Sequence, residues 1–315
     1  MARILRASRV NLQQIDFSDT TYSLTPGTVQ TPPPALLESI GRFGIMHPPV
    51  LKESSDGACR VVAGRLRLLA ANELQPALSH TCLLLPPDTS EISTLAIGLE
   101  DTLLRGAISI MEQAIFFQKA LAWIDEQTAA GDFLPRLGHK PHSRMIHELV
   151  RLLDLEEPLQ HGVHTGLLQE GVARELLTCS FPDRLALFEI IETLRLSVGS
   201  QKQLVSSCKE LALRNNTSIL SILSDAQVME IRQNQESNPP QKAANLIRIL
   251  REKCSPRLAE AEQEYRSFVG RLMLPEGVTL QHAPAFERDV LSCTIQFKDR
   301  DEFLSQWPAI RQLLG

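Results

Sequence analysis

Two short segments about twenty residues apart constrain the fold more than anything else in the chain. The first, Gly44-Ile45-Met46-His47-Pro48-Pro49-Val50, reads as the end of a helix and the entry to a strand. Leu36, Leu37 and Ile40 make an apolar helical face, Gly44 stands where a left-handed cap is wanted, and Pro48-Pro49 forces an extended exit into Val50-Leu51. The second, Val61 to Ala71, runs from a strand through Gly64 straight into a helix with Arg65 and Arg67 in its first turn. Glycine at a strand-to-helix junction lets backbone N–H groups approach an anion, and a helix start favours negative charge. These residues fit a phosphate-binding turn; taken alone they also fit a plain helix cap with solvated arginines.

At 315 residues, 43% hydrophobic, the chain is long enough for two or three packed domains. No stretch reaches the length of a membrane span, and Met1 to Arg6 lacks the apolar core of a signal peptide. The cysteines at 59, 82, 179, 208, 254 and 293 form no Cys-x-x-Cys, which suits a reducing cytoplasm and argues against a cysteine zinc site. Net charge is −5, unevenly spread. Residues 91–200 carry 9 basic and 16 acidic side chains, yet within them Pro135 to Arg151 holds Arg136, Lys140, Arg144 and Arg151 against the single acid Glu148. A basic island in an acidic region is the footprint expected of a nucleic-acid contact. The five histidines between 139 and 164 are spread over a turn and at least two helices and complete no metal-ligand set.

Along the chain, short strands and helices occupy the first 88 residues, and helix follows helix after Ser90. Ser109-Ile110-Met111-Glu112 is a capping box opening a helix expected to bury Ile115, Phe116, Ala120 and Trp123 or their neighbours, and Gly131-Asp132 is expected to end it. A short helix around Phe133–Leu137, a Gly-His-Lys-Pro-His turn and a helix from Ser143 to Leu153 then make a helix-turn-helix. Helices are expected at 156–163, 169–178, 182–195, 200–214 and 217–232, followed by a linker at 234–240 and a helical stretch over 241–272. Val278–His282 and Val290–Phe297 alternate like strands, and Asp301–Leu314 reads as a closing helix.

These segments together resemble the ParB family of chromosome- and plasmid-partition proteins. The run Gly64–Leu74 is similar to the family's "Gly-Glu-Arg-Arg-x-x-Ala" turn, after a "Pro-x-x-Val" strand like the one here at Pro48. Asp101-Thr102-Leu103-Leu104-Arg105 stands where the family writes "Glu-Asn-x-Gln-Arg". Glu148 to Leu155 resembles "Asn-x-x-Arg-Leu-Leu-x-Leu", Gly166 to Leu177 resembles "Gly-x-Leu-Ser-x-Gly-His-Ala-Arg-x-Leu-Leu", and Leu196-Ser197-Val198 matches "Leu-Ser-Val-Arg". Weak motifs in the right order over some 210 residues make a strong joint signal.

The resemblance implies an α+β protein: a ParB/sulfiredoxin-like N-terminal domain over 1–88 with its nucleotide site completed by a helix at 91–108, an all-helical DNA-binding domain over 89–233, a linker and helix start over 234–255, and a small β-β-α dimerisation domain over 256–315. It implies double-stranded DNA as ligand, contacted by Arg136, Lys140, His142, Ser143, Arg144 and His147 at the start and exposed face of the second helix of the helix-turn-helix. It implies CTP with Mg2+, held by Gly44, Gly64, Arg65, Arg67 and Arg105, with Asp101 facing the metal. Arg65 and Leu66 replace the family's glutamate and first arginine, and Leu104 replaces a polar contact, so hydrolysis is expected to be impaired and any enzymatic activity to be at most a weak CTPase. A homodimer, a ParA-type ATPase partner, no membrane contact and a cytoplasmic, nucleoid-associated location follow from the same resemblance. Two other readings share the N-terminal fold: a DNA-binding regulatory paralogue without a nucleotide switch, and a nucleotide-dependent small-molecule kinase. A sulfiredoxin is disfavoured, because its cysteine after the turn glycine is here Arg65.

Overall fold

The structure, a computed structural model, describes residues 5–27, 31–54, 57–275, 277–283 and 290–314. The expectation about Met1 to Arg6 falls mostly outside them. The architecture is α+β, and it divides into two compact units, Met1–Val205 and Ser206–Gly315.

In the first unit a mixed four-stranded sheet has the order β1 (Arg6–Asn11), β4 (Ser79–Leu85), β2 (Val50–Glu53), β3 (Cys59–Ala63). β4 pairs antiparallel with β1 and parallel with β2, and β2 pairs antiparallel with β3. Helices α1 (Pro34–Phe43) and α2 (Arg65–Leu74) pack together beside it, over a core that includes Leu51, Leu68, Ala70 and Cys82. Gly44 ends α1 with φ 70 and ψ −168, so it is not the left-handed cap expected but a still more glycine-restricted conformation. Gly64 has φ 86 and ψ 25, true left-handed geometry, between β3 and α2.

Helices α3 (Glu91–Arg105), α4 (Ile110–Ala120), α5 (Glu126–Phe133), α6 (Ser143–Val150), α7 (Glu157–His164), α8 (Glu170–Leu176), α9 (Phe181–Leu194) and α10 (Val198–Asn215) follow, and the unit boundary falls within α10. The Ser109–Glu112 capping box is formed. However, α4 stops at Ala120, and Trp123 lies beyond it at 36% exposure rather than in the core. Asp125 caps a new helix by accepting from the Thr128 N–H, and α5 runs through Gly131-Asp132 because Ala129, Ala130 and Phe133 are buried on one side of it. The first helix of the helix-turn-helix is therefore α5, and Pro135–Leu137 is a 3-10 turn in the connection. The second is α6, burying Ile146 and Leu149 and closing with a further 3-10 turn, Arg151–Asp154. One core joins Tyr22, Leu24, Val62 and Leu85 to buried residues of α3 through α6.

In the second unit the helix expected over 217–232 is two, α11 (Ile219–Leu223) and α12 (Ala226–Gln233), because Asp225 starts a new cap on the Gln227 N–H. The sequence suggests a linker through Pro240, yet Asn238 and Gln241 form a capping box and the two prolines open α13 (Pro239–Cys254). Pro256 then breaks the expected long helix and starts α14 (Pro256–Arg271). β5 (Val278–His282) and β6 (Leu291–Ile295) form an antiparallel pair, and α15 (Arg300–Leu314) closes the chain as described.

Candidate DNA-binding face and nucleotide cleft

The α5–α6 pair presents the start of α6 to solvent. His142 caps it through its carbonyl, which accepts from the Met145 N–H at 2.9 Å, and no acidic residue lies in the first turn. Gly138, left-handed at φ 81, reverses the chain between the helices, and His139 is anchored by its Nε2 to Gln113 at 2.8 Å. Lys140, His142, Ser143, Arg144 and His147 are all exposed on this turn and helix. The Arg144 side chain is 89% exposed and donates from Nε to Glu148 Oε1 at 3.0 Å. His147 Nε2 lies 3.0 Å from Glu126 of α5, and Arg136 pairs with Glu100 of α3. The structure thus brings the six expected DNA residues to one region, and it adds their acidic partners, which lie too far away in sequence to read, except for Glu148. Arg174 of α8 was also missed: it donates to the Glu148 carbonyl at 3.0 Å and to Glu170 at 2.8 Å.

The turn at Gly64 opens onto a cleft of about 270 Å³, lined by Tyr22 to Thr25, Ala63 to Arg67, Gly98, Asp101, Thr102, Arg105 and Glu112 among others. Gly64, Arg65, Arg67, Asp101 and Arg105 all line it; Gly44 does not. Arg67 folds back over its own turn: a Cβ at position 64 would lie 2.7 Å from Arg67 Nη2, and Nη1 donates to the His47 carbonyl. Burial lowers the Arg67 pKa, Asp101 opposing and Arg105 adding to the effect, which places the three charges in one field. Arg105 Nε lies 3.2 Å from Asp101 Oδ2 and its Nη2 donates to Thr102 Oγ1 at 3.1 Å. Asp101 Oδ2 is buried and accepts no hydrogen bond, so the Arg105 contact is one of charge and the oxygen keeps its acceptor capacity. Leu104 is 88% exposed and does not line the cleft.

Arg65 has a different occupation. Its guanidinium donates to the Phe17 carbonyl and, at 2.8 Å, to the Asp19 carbonyl. Arg60 pairs with the Asp19 carboxylate at 3.0 Å, and Lys119 of α4 donates to the carbonyls of Thr20 and Ser23, the latter at 2.7 Å. These cations fasten residues 17–23, which lead into the cleft wall Tyr22 to Thr25, onto β3, α2 and α4. Burial brings the Lys119 pKa down to about 8. Next to the wall, buried Lys52 donates to Glu91 at 2.6 Å, and Tyr22 donates to the same carboxylate. Burial pushes the Glu91 pKa up, but those two hydrogen bonds reverse the effect and hold it below the usual range. Lys52 carries the one sequence signal available for this network, a lysine within an apolar strand.

For a triphosphate with Mg2+, the residues fit in part: Gly64 is a bare turn a side chain would fill, Arg67 and Arg105 are the facing cations, and Asp101 holds a buried oxygen that accepts no hydrogen bond and faces Arg105. Arg65 is already bonded elsewhere. Among the described residues no cluster of His, Cys, Asp and Glu side chains is arranged to hold a metal, and no helix is long and apolar enough to cross a membrane.

Compared with known proteins, residues 110–210 match the family described as the ParB HTH domain. A probable chromosome-partitioning protein ParB of Mycobacterium leprae is 32% identical over 149 residues, 45% of this chain and 42% of that protein. A nucleoid occlusion protein of Lysinibacillus sphaericus is 28% identical over 146 residues, 45% of each. The chain thus spans less than half the length of these relatives. Crystal structures of C-terminally truncated ParB from Caulobacter crescentus, with the centromeric parS site and with CTP-gamma-S, are 21% identical, cover 64% and 59% of this chain and 98% of theirs, and give TM-scores of 0.34 and 0.27.

Proposed function

For a chain that belongs to the ParB family, as this one does by its helix-turn-helix domain and its partition-protein relative, we propose sequence-specific binding of double-stranded DNA in chromosome or plasmid segregation. The observation that carries it is α6: an amphipathic helix packed on α5, with its start uncapped by acids and His142, Ser143, Arg144 and His147 exposed along it. A helix start placed on a groove presents N–H groups and cations to phosphates while side chains one turn on meet base edges. A two-fold dimer suits two half-sites, and residues 256–315 are the proposed dimerisation element. A ParA-type ATPase is the proposed partner in segregation.

The cleft is proposed to take a nucleotide, CTP by family resemblance, with Gly64 admitting phosphate to the turn, Arg67 and Arg105 as counter-charges and Asp101 toward Mg2+. Arg65 serves the wall instead of the nucleotide, and no residue replaces the polar contact missing at Leu104, so turnover is proposed to be weak or absent. A second reading, DNA binding without a nucleotide switch, is favoured by one observation: Arg65 and Arg67 both already donate to backbone carbonyls. Calorimetric titration of the full chain with CTP, with and without Mg2+, separates the two. Saturable binding abolished by Arg67→Ala supports the nucleotide cleft; no heat at millimolar CTP leaves the switchless DNA binder. Selection of duplexes from a random library tests the DNA reading itself: an enriched motif is expected, and no enrichment refutes it.

A further inference from the structure

Three of the cations on the DNA-binding face are paired within the chain. Arg136, Arg144 and His147 each face a carboxylate of the chain's own fold, Glu100, Glu148 and Glu126. Lys140 and Arg151 are exposed and enter no ion pair among the described residues. Glu148 differs from the other two acids because it lies on α6 itself, one turn from Arg144, and because it is braced from behind. Arg174, whose side chain is 29% exposed, sits with Nη1 3.7 Å from Glu148 Oε2 while donating to the Glu148 carbonyl, and is itself held by Glu170 through Nε at 3.1 Å and Nη2 at 2.8 Å. An exposed i,i+4 pair on its own is worth only about 0.3–0.5 kcal/mol. Arg174 holds the backbone of Glu148 and stands behind its carboxylate as a second counter-charge, so Arg144 faces an acid supported beside the surface where DNA would lie.

We propose that Glu148 is a positioning residue that sets the sequence specificity of α6, by making Arg144 available to DNA only where a base edge competes with the carboxylate. The proposal rests on the DNA-binding reading above. On a random duplex, Arg144 gains a phosphate only by leaving Glu148, whose carboxylate then faces the polyanion with Arg174 as its remaining counter-charge. That double cost suppresses the sequence-independent part of binding, which phosphate contacts dominate. On the preferred site, Arg144 makes a bidentate contact to guanine O6 and N7 that outweighs its pair with Glu148, and Glu148 keeps Arg174 as its counter-charge. Both charges are then answered, so the same acid that weakens random binding leaves specific binding nearly untouched.

The test uses the full chain, a random-sequence duplex and the motif selected by the wild-type protein. Failure of the wild type to select any motif refutes the DNA-binding reading, separately from this inference. Given a motif, Glu148→Gln is expected to raise affinity for the random duplex about fivefold and change motif affinity less than twofold. The salt slope on random DNA should steepen by about one, the mark of one more phosphate contact. In an Arg144→Ala background Glu148→Gln should leave the ratio unchanged, which a purely structural role would not predict. Should Glu148→Gln impair folding, Arg174→Ala removes the brace and is expected to lower the same ratio about twofold to threefold. A specificity ratio and salt slope equal to wild type in a folded variant would overturn the proposal, as would equal losses on both duplexes.

Discussion

Replacing Gly64 with alanine strikes the cleft at its turn, and its cost can be assembled from two separate effects. At φ 86 and ψ 25 the backbone is left-handed, which costs a residue with a Cβ about 1 kcal/mol relative to glycine. The new Cβ would also lie 2.7 Å from Arg67 Nη2 and 3.0 Å from its Cζ and Nε. Arg67 can swing away, since the clash is with the end of a flexible side chain, but it then leaves the His47 carbonyl. A charge-assisted bond at a partly exposed site is worth about 0.5–1 kcal/mol after screening. The sum is about 2 kcal/mol, or roughly 4–8 °C in Tm for a unit of this size. Thermal unfolding of the full chain, followed by circular dichroism, reads this directly. A double-mutant cycle separates the two effects: in an Arg67→Ala background the clash is gone, and Gly64→Ala should cost only the backbone strain, about 1 kcal/mol. An unchanged Tm in Gly64→Ala, or an equal cost in both backgrounds, would refute this account of the turn.

Three further outcomes are expected. Arg144→Ala should weaken binding to the selected motif about tenfold, with little change in Tm, as read by fluorescence anisotropy across a salt series. Arg67→Ala and Arg105→Ala should each abolish or sharply weaken CTP binding by calorimetry, whereas Arg65→Ala should lower Tm and make residues 17–23 protease-sensitive while reducing CTP affinity less. Lys119 should give a pH signature: its folded pKa of about 8 lies below the ordinary 10.5, so between those values the unfolded chain binds a proton that the folded chain does not, and wild-type stability gains with rising pH. Lys119→Met should remove that gain, about 1–2 kcal/mol once screening of a partly exposed group is allowed for, in urea titrations at pH 7.5 and pH 10.

Local chemistry was legible in the sequence. The strand-glycine-helix at Gly64, the Ser109–Glu112 capping box and the second helix of the helix-turn-helix all rest on a few neighbouring residues, and all are formed. Helix ends were harder where tertiary burial overrides propensity. Gly131 reads as a stop, yet α5 continues through it because Ala129, Ala130 and Phe133 gain more from burial than glycine costs there. In the cleft, Gly64, Arg65 and Arg67 stand in a turn the local sequence marks, Asp101 and Arg105 follow from the family resemblance alone, and all five line it together. That Arg65 and Lys119 bond the carbonyls of residues 17–23 had no sequence signature, because a backbone carbonyl is present at every position. The same holds for Glu100 and Glu126 opposite the DNA-facing cations, because Glu100 reaches the Pro135–Leu137 turn from α3 and Glu126 stands on α5 beside α6. Glu148, one helical turn from Arg144, was readable as a neighbour, but its brace from α8 was not.

The central claim is that α6 reads DNA, and the most direct test is a map of where the protein sits on the chromosome and plasmids of its own cells, made in parallel for wild type and Arg144→Ala at equal protein levels. The account predicts discrete sites sharing one motif for the wild type, and their loss in the variant. Absence of enrichment in the wild type, or an identical map for the variant, would contradict it.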